Sequence, residues 1–227
     1  MYDKESLKKQ YREIFKDWSE EKIDKHAEWM AKKYSTLKSG ENVVHLEYIG
    51  GMIDDNDISE IENAMSKSGL ELSRFDRNGV AYASLEDFSL QSFIALNNVI
   101  VQSVLLGLAT NVVWDAIKLS AHLVWKRIKM RHWGSNAKER KLNFGLNITL
   151  ANKSSIELKI SGDFKEETVL QALDKIIPLL EEENNKPPRR FDNFFEFDEV
   201  TQQWVAVDVM EEYLKAAMKQ KTKIEEK

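Results

Sequence analysis

"NNVIVQSVLLGLATNVVWDAIK", Asn97 to Lys118, is the most apolar stretch of a chain in which 31% of the residues are charged. Whether it spans a membrane, fills a core or meets a partner decides the fold. Its apolar heart runs from Val99 to Val113, and Gln102, Ser103, Thr110 and Asn111 punctuate even that. A membrane span needs about 20 largely apolar residues. Extension forward meets Asp115 and Lys118, and extension backward meets Asn97 and Asn98. Each charge at the centre of a span costs roughly 2.5–3.5 kcal/mol on insertion scales. The stretch therefore reads as the middle of one long central helix, from about Glu86 to Arg131, buried in a soluble domain. A helix that is apolar on most sides is buried on most sides. A sheet is expected on one face, with further helices or a second subunit on the other.

Working outward, residues 3–36 read as two amphipathic helices. Leu7, Tyr11, Ile14, Phe15 and Trp18 recur at helical spacing in the first. Ser19 caps the second, whose stripe is Ile23, Ala27, Met30 and Tyr34. From Val43 the period changes to two, and "VVHLEYI" reads as a strand ended by Gly50-Gly51. Asp57 with Glu60 reads as a capping pair for a helix carrying Ile58, Ile61 and Met65, with Gly69 as its stop. "LELSRF" and "VAYASL" form a hairpin through Asn78-Gly79.

Beyond the long helix, "LNITLANKSSIELKI" is a second hairpin. Leu146, Ile148 and Leu150 match Ile156, Leu158 and Ile160 across a turn at Asn152–Ser154. Lys165–Glu183 is a helix that Pro178 should kink or shorten. After the polar linker "EEENNKPPRR", "FFEFDEVTQQWVAV" reads as a hairpin and "VMEEYLKAAMKQK" as a terminal helix. The expected fold class is α+β: a mostly antiparallel sheet packed on the long central helix. Its βαββα start is compatible with a ferredoxin-like split βαβ unit. The units are an N-terminal helical pair at 1–40, an α+β core at 41–183, and a linker, hairpin and helix at 184–227.

The totals narrow the chemistry. A chain of 227 residues, 42% hydrophobic, is long enough to bury a core without staples. It has no cysteine, which excludes disulfides, thiolate metal sites and cysteine nucleophiles, and suits a reducing cytoplasm. A net charge of −5 argues against a protein devoted to coating nucleic acid. The charged N-terminus carries no apolar run of the signal-peptide type.

No motif announces a catalyst. His26, His45, His122 and His132 are scattered, and none has a metal-ligand spacing. His45 and Glu47 share a strand face and could meet a third metal ligand, but read as a solvent-facing pair on a half-buried strand. "DDNDISEIE" begins like a calcium loop at Asp55, but Glu60 stands where glycine is needed and Ser66 where the closing glutamate belongs. Gly50-Gly51 lies between strand and helix without a phosphate-loop pattern. The expectation is no enzyme, no cofactor and no metal.

Two polar features remain as a candidate interaction surface. Asn111, Asp115 and Lys118 lie on one helical face, and Asp115, on a buried helix, is expected to need a cationic partner. The segment Lys126–Lys141 holds seven Lys or Arg against one Glu, and Lys126, Arg127, Lys129, Arg131 and Trp133 could grip an anionic partner. The same cations complement a helix C-terminus.

"HLVWKRIKMRHW", a helix end rich in Trp, Lys and Arg, runs into an alternating hairpin and an acid-rich amphipathic helix. This layout, over Val43 to Leu180, resembles the effector-associated constant components of bacterial conflict and defence systems. The resemblance implies a small accessory domain acting as an adaptor beside effector modules. The expected function is thus a cytoplasmic, non-enzymatic interaction protein, with a protein partner or a homo-oligomer. The alternatives are a membrane-active protein using the helix at 93–125, and nucleic-acid or anion binding through 126–141.

Overall fold

A computed structural model describes residues 3–49, 51–78, 92–107, 111–130, 143–187 and 193–208. Among them are seven strands in a single sheet, ordered β2-β1-β3-β4-β5-β6-β7, and seven helices. The strands are β1 (Val43–Tyr48), β2 (Glu71–Asp76), β3 (Ser92–Leu96), β4 (Asn143–Thr149), β5 (Ser155–Ser161), β6 (Asn193–Asp198) and β7 (Gln203–Val207). The helices are α1 (Lys4–Ile14), α2 (Glu20–Ser35), α3 (Asp55–Lys67), α4 (Asn98–Leu105), α5 (Asn111–Met130), α6 (Glu166–Asp174) and α7 (Ile176–Asn184).

The sheet is mixed, not mostly antiparallel. β1–β2, β3–β4 and β5–β6 are parallel pairs, while β1–β3, β4–β5 and β6–β7 are antiparallel. The physical reason is the helix inside each parallel pair. A chain that crosses back through α3, through α4 and α5, or through α6 and α7 re-enters the sheet from its starting end. Among the described residues the first βαβ unit is not split, because β1 and β2 are direct hydrogen-bonded neighbours with no strand between them.

The long central helix is also corrected. Residues 92–96 form β3, a strand paired on both sides, and the helical part is divided into α4 and α5. Asn97 makes the break. Its side chain accepts hydrogen bonds from the Val99 and Ile100 N–H groups at 3.0 Å each, and its amide donates to the carbonyls of Gly40 and Glu41. A helix capped there cannot extend backward through β3. At the other end of α4, Gly107 adopts φ +66, the left-handed conformation in which a helix commonly stops. Among the described residues no helix is long and apolar enough to cross a membrane.

The hairpin expected at 70–85 places only its first strand, β2, among the described residues, and β2 pairs in parallel with β1. "VAYASL" and the terminal helix lie outside them. The helix at 165–183 breaks at Lys175, so that Pro178 sits in the first turn of α7, where no backbone N–H is required. The α3 cap is one turn earlier than expected: Asp54 accepts from the Asp57 N–H, and Asp57 returns the bond to the Asp54 N–H. Glu60 takes no part in it.

The β4–β5 hairpin has the expected register, Leu146 opposite Leu158 and Ile148 opposite Ile156, with Lys153 at φ +66 in its turn. The β6–β7 hairpin pairs as read and continues the sheet beyond β5. Leu46, Ile94, Leu146, Leu158 and Phe195 line up in register across five strands. Together with Ile58, Ile61, Ile117, Val124, Ile128, Leu173 and Leu180 they form one continuous core under α3–α7. The pair α1–α2 packs separately, with Leu7, Tyr11, Ile23, Ala27 and Met30 closing on Phe75.

Candidate interaction surface

α5 lies between α3 and α6 in the helical layer. Its buried stripe is Ile117, Ser120, Ala121, Val124, Trp125 and Ile128, which follows from their spacing of three and four. The opposite face would ordinarily be polar. Here it carries Val112, Asp115, Leu119, Lys126 and Met130. Val112 is 52% exposed, Leu119 47% and Met130 63%, and Leu106 at the end of α4 is 69% exposed. Helices that are amphipathic toward one core do not normally expose three large apolar residues on the far side.

The polar candidates distribute differently from the expectation. Asp115 is exposed, not buried, because it points away from Ile117 and Ala121. Lys118 does reach it, at 3.4 Å, but holds Asp174 of α6 more closely at 2.9 Å. These contacts raise the Lys118 pKa, with the hydrogen bond to Asp174 as the main cause. Asn111 opens α5.

The basic run is largely engaged within the fold. Arg127 forms an ion pair with Asp57, Nε to Oδ1 2.6 Å, and Asp57 is only 4% exposed. Lys129 pairs with Asp163 at 2.8 Å, donates to the Phe164 carbonyl and lies over the Trp125 ring. Lys126 alone of these three is exposed and makes no ion pair among the described residues. Arg131 and Trp133 lie outside them. The structure thus brings Asp115, Lys118 and Lys126 to the outer region of α5 and turns Arg127 and Lys129 into struts toward α3 and α6. The apolar members Val112, Leu119 and Met130 were not singled out by sequence reasoning. The signal that could have found them is their position opposite the Ile117–Ile128 stripe on a helical wheel.

The remaining polar features lie elsewhere on the fold. His45 and Glu47 stand on the sheet face away from α5, where His45 neighbours Ser73 and Ala95, and Glu47 neighbours Phe75 and Phe93. Burial holds His45 below its ordinary 6.5 and pushes Glu47 above its ordinary 4.5, the latter opposed by Arg77 at 3.9 Å. On α2, Ser19, Lys22, His26 and Trp29 line a shallow, open depression of about 440 Å³. Its rings pack on one another, His26 against both Trp18 and Trp29, and burial lowers the His26 pKa. No group of three or more carboxylates and imidazoles able to hold a metal occurs among the described residues. Comparison with known family models, characterised proteins and solved structures finds no match to this chain.

Proposed function

We propose that this chain is a non-enzymatic protein-binding module, an accessory or adaptor component of a bacterial conflict or defence system. It presents the outer face of α5, with the end of α4, to a protein partner. The observation that carries the reading is the apolar outer stripe Val112, Leu119 and Met130, with Leu106 at the end of α4 also exposed. Apolar side chains gathered on one exposed face, unlike single scattered ones, mark a surface that another molecule covers. The placement in a conflict system rests on the Trp- and Arg-rich helix end, hairpin and acidic helix described above. Phosphate gripping is less favoured, since Arg127 and Lys129 already spend their charge on Asp57 and Asp163.

Site-specific photo-crosslinking in living cells tests the reading. A photoreactive residue at position 119 or 112 is expected to yield a discrete protein adduct. One at Lys25, exposed on α2, is expected to yield none. Absence of any adduct from both 112 and 119 overturns the assignment.

A further inference from the structure

We infer that the occupant of the α5 face is a second copy of this chain, docked through its own α5, antiparallel, about a two-fold axis that crosses the outer face at the level of Ala121. This inference rests on the α5 face being a binding surface, and it names the partner.

The outer stripe is self-complementary. Val112 and Met130 lie equally far from the level of Ala121, nine residues on either side, and Leu119 lies two residues before it, beside the axis. Rotation about an axis at that level sets Val112 against the partner's Met130 and brings Leu119 beside the partner's Leu119. The charges follow the same rule. Asp115 stands six residues before Ala121 and Lys126 five after it. At 100° per residue both fall on the same flank of the stripe, the side nearer α6. In an antiparallel helix pair, residues on one flank meet the same flank of the other helix. Asp115 of each copy therefore meets the partner's Lys126, twice by symmetry. An isologous interface requires this: if one residue contacts a second, the second must contact the first across the axis. A partner of unrelated sequence gives no reason for that symmetry.

The charges are free to serve. Lys126 makes no ion pair among the described residues, and Asp115 shares Lys118 with a closer competitor, Asp174. Each is thus incompletely satisfied inside one copy, and each finds its complement in the other. The flanks do not obstruct approach, because the long polar neighbours Lys118, His122, Arg127 and Lys129 are drawn sideways toward Asp174, Glu166, Asp57 and Asp163.

The size of the face sets the strength. From Val112 to Met130 the helix rises about 27 Å, and one helix face about 10 Å wide offers on the order of 300 Å². Stable pairs bury about 800 Å² per partner. Even with Leu106 and the exposed Leu170 of α6 beside it, the pairing is a reversible one, filled at high concentration and emptied on dilution.

Sedimentation velocity of the purified full chain, over roughly a hundredfold range of concentration, measures this directly. The parent is expected to shift from monomer to dimer. Asp115→Lys and Lys126→Asp are each expected to weaken the dimer by about tenfold, since two equivalent pairs become repulsions at once. The combined Asp115→Lys, Lys126→Asp variant is expected to restore it. Leu119→Asp is expected to leave monomer only. All these positions are exposed, so circular dichroism should show the fold retained; if Leu119→Asp is unfolded, the charge-swap series decides alone. A chain that stays monomeric throughout overturns the inference. So does a dimer indifferent to Leu119→Asp in a folded protein, or a swap that fails to restore association. In the monomeric case the crosslinker at position 119 reports separately whether a different protein covers the face. The broader reading then stands or falls on its own result.

Discussion

Asp57 and Asp115 are both carboxylates within reach of a cation on α5, and water separates their roles. Asp57 is nearly sealed, lies 2.6 Å from the Arg127 Nε as an ion pair, and closes the α3 cap. Asp115 keeps its hydration and sits 3.4 Å from a lysine that prefers another partner. Removing the cation beside a buried carboxylate leaves a desolvated charge, whereas an exposed pair contributes little. Arg127→Ala should therefore lower stability by on the order of 2–3 kcal/mol, less than a fully buried pair because Arg127 remains partly wet. Asp115→Ala should cost less than about 1 kcal/mol. Urea denaturation of the two variants checks the contrast. Equal midpoints would remove the claim that Arg127 is a strut between α5 and α3.

At the scale of elements, the decisive feature is the junction of β3 with α4. "SFIALNNVIVQSV" is apolar almost throughout, and short apolar runs do not distinguish strand from helix by period. Asn97 resolves the ambiguity by capping α4 with its carbonyl and tying the junction to residues 40 and 41 with its amide. Asn97→Ala should cost about 1–2 kcal/mol, at the upper end for a cap because the long-range amide bonds are lost as well. Asn97→Asp keeps the cap, and its charge suits a helix N-terminus, so it should fall between parent and alanine. Thermal melts rank the three. An alanine variant that melts with the parent would show that pairing of β3, not the cap, ends the helix.

At the scale of the molecule, the two apolar clusters differ in extent. The main core runs beneath α3–α7 along the sheet, while α1–α2 closes on little more than Phe75. Lys33 adds bonds to the carbonyls of Asp76 and Asn78, and Tyr34 stacks on Phe75. Segments with fewer buried apolar contacts open at lower free energy than the global transition. Native-state hydrogen exchange should find the α2 amides opening below the level of β4 and β5. Identical opening energies would mean that the helical pair and the sheet unfold as one unit.

What could be read from the residues alone was whatever is written locally. The α2 stripe, the Ser19 cap and the β4–β5 and β6–β7 hairpins depend on neighbours within a few residues, and all four are present in the structure. Their spacing and turn residues carry the information. The α1 stripe holds at Leu7 and Tyr11, but the helix ends at an exposed Ile14, and Phe15 and Trp18 pack from beyond it. The parallel pairings, the strand at 92–96 and the engagement of Arg127 and Lys129 depend on groups far along the chain. Asp57 lies seventy residues from Arg127, and β3 becomes a strand through β1 on one side and β4 on the other. The candidate surface divides in the same way: the α5 stripe is visible on a helical wheel, but whether its outer side faces water was decided by which side the sheet covers. Local sequence sets which conformations are inexpensive, and burial against distant residues selects among them.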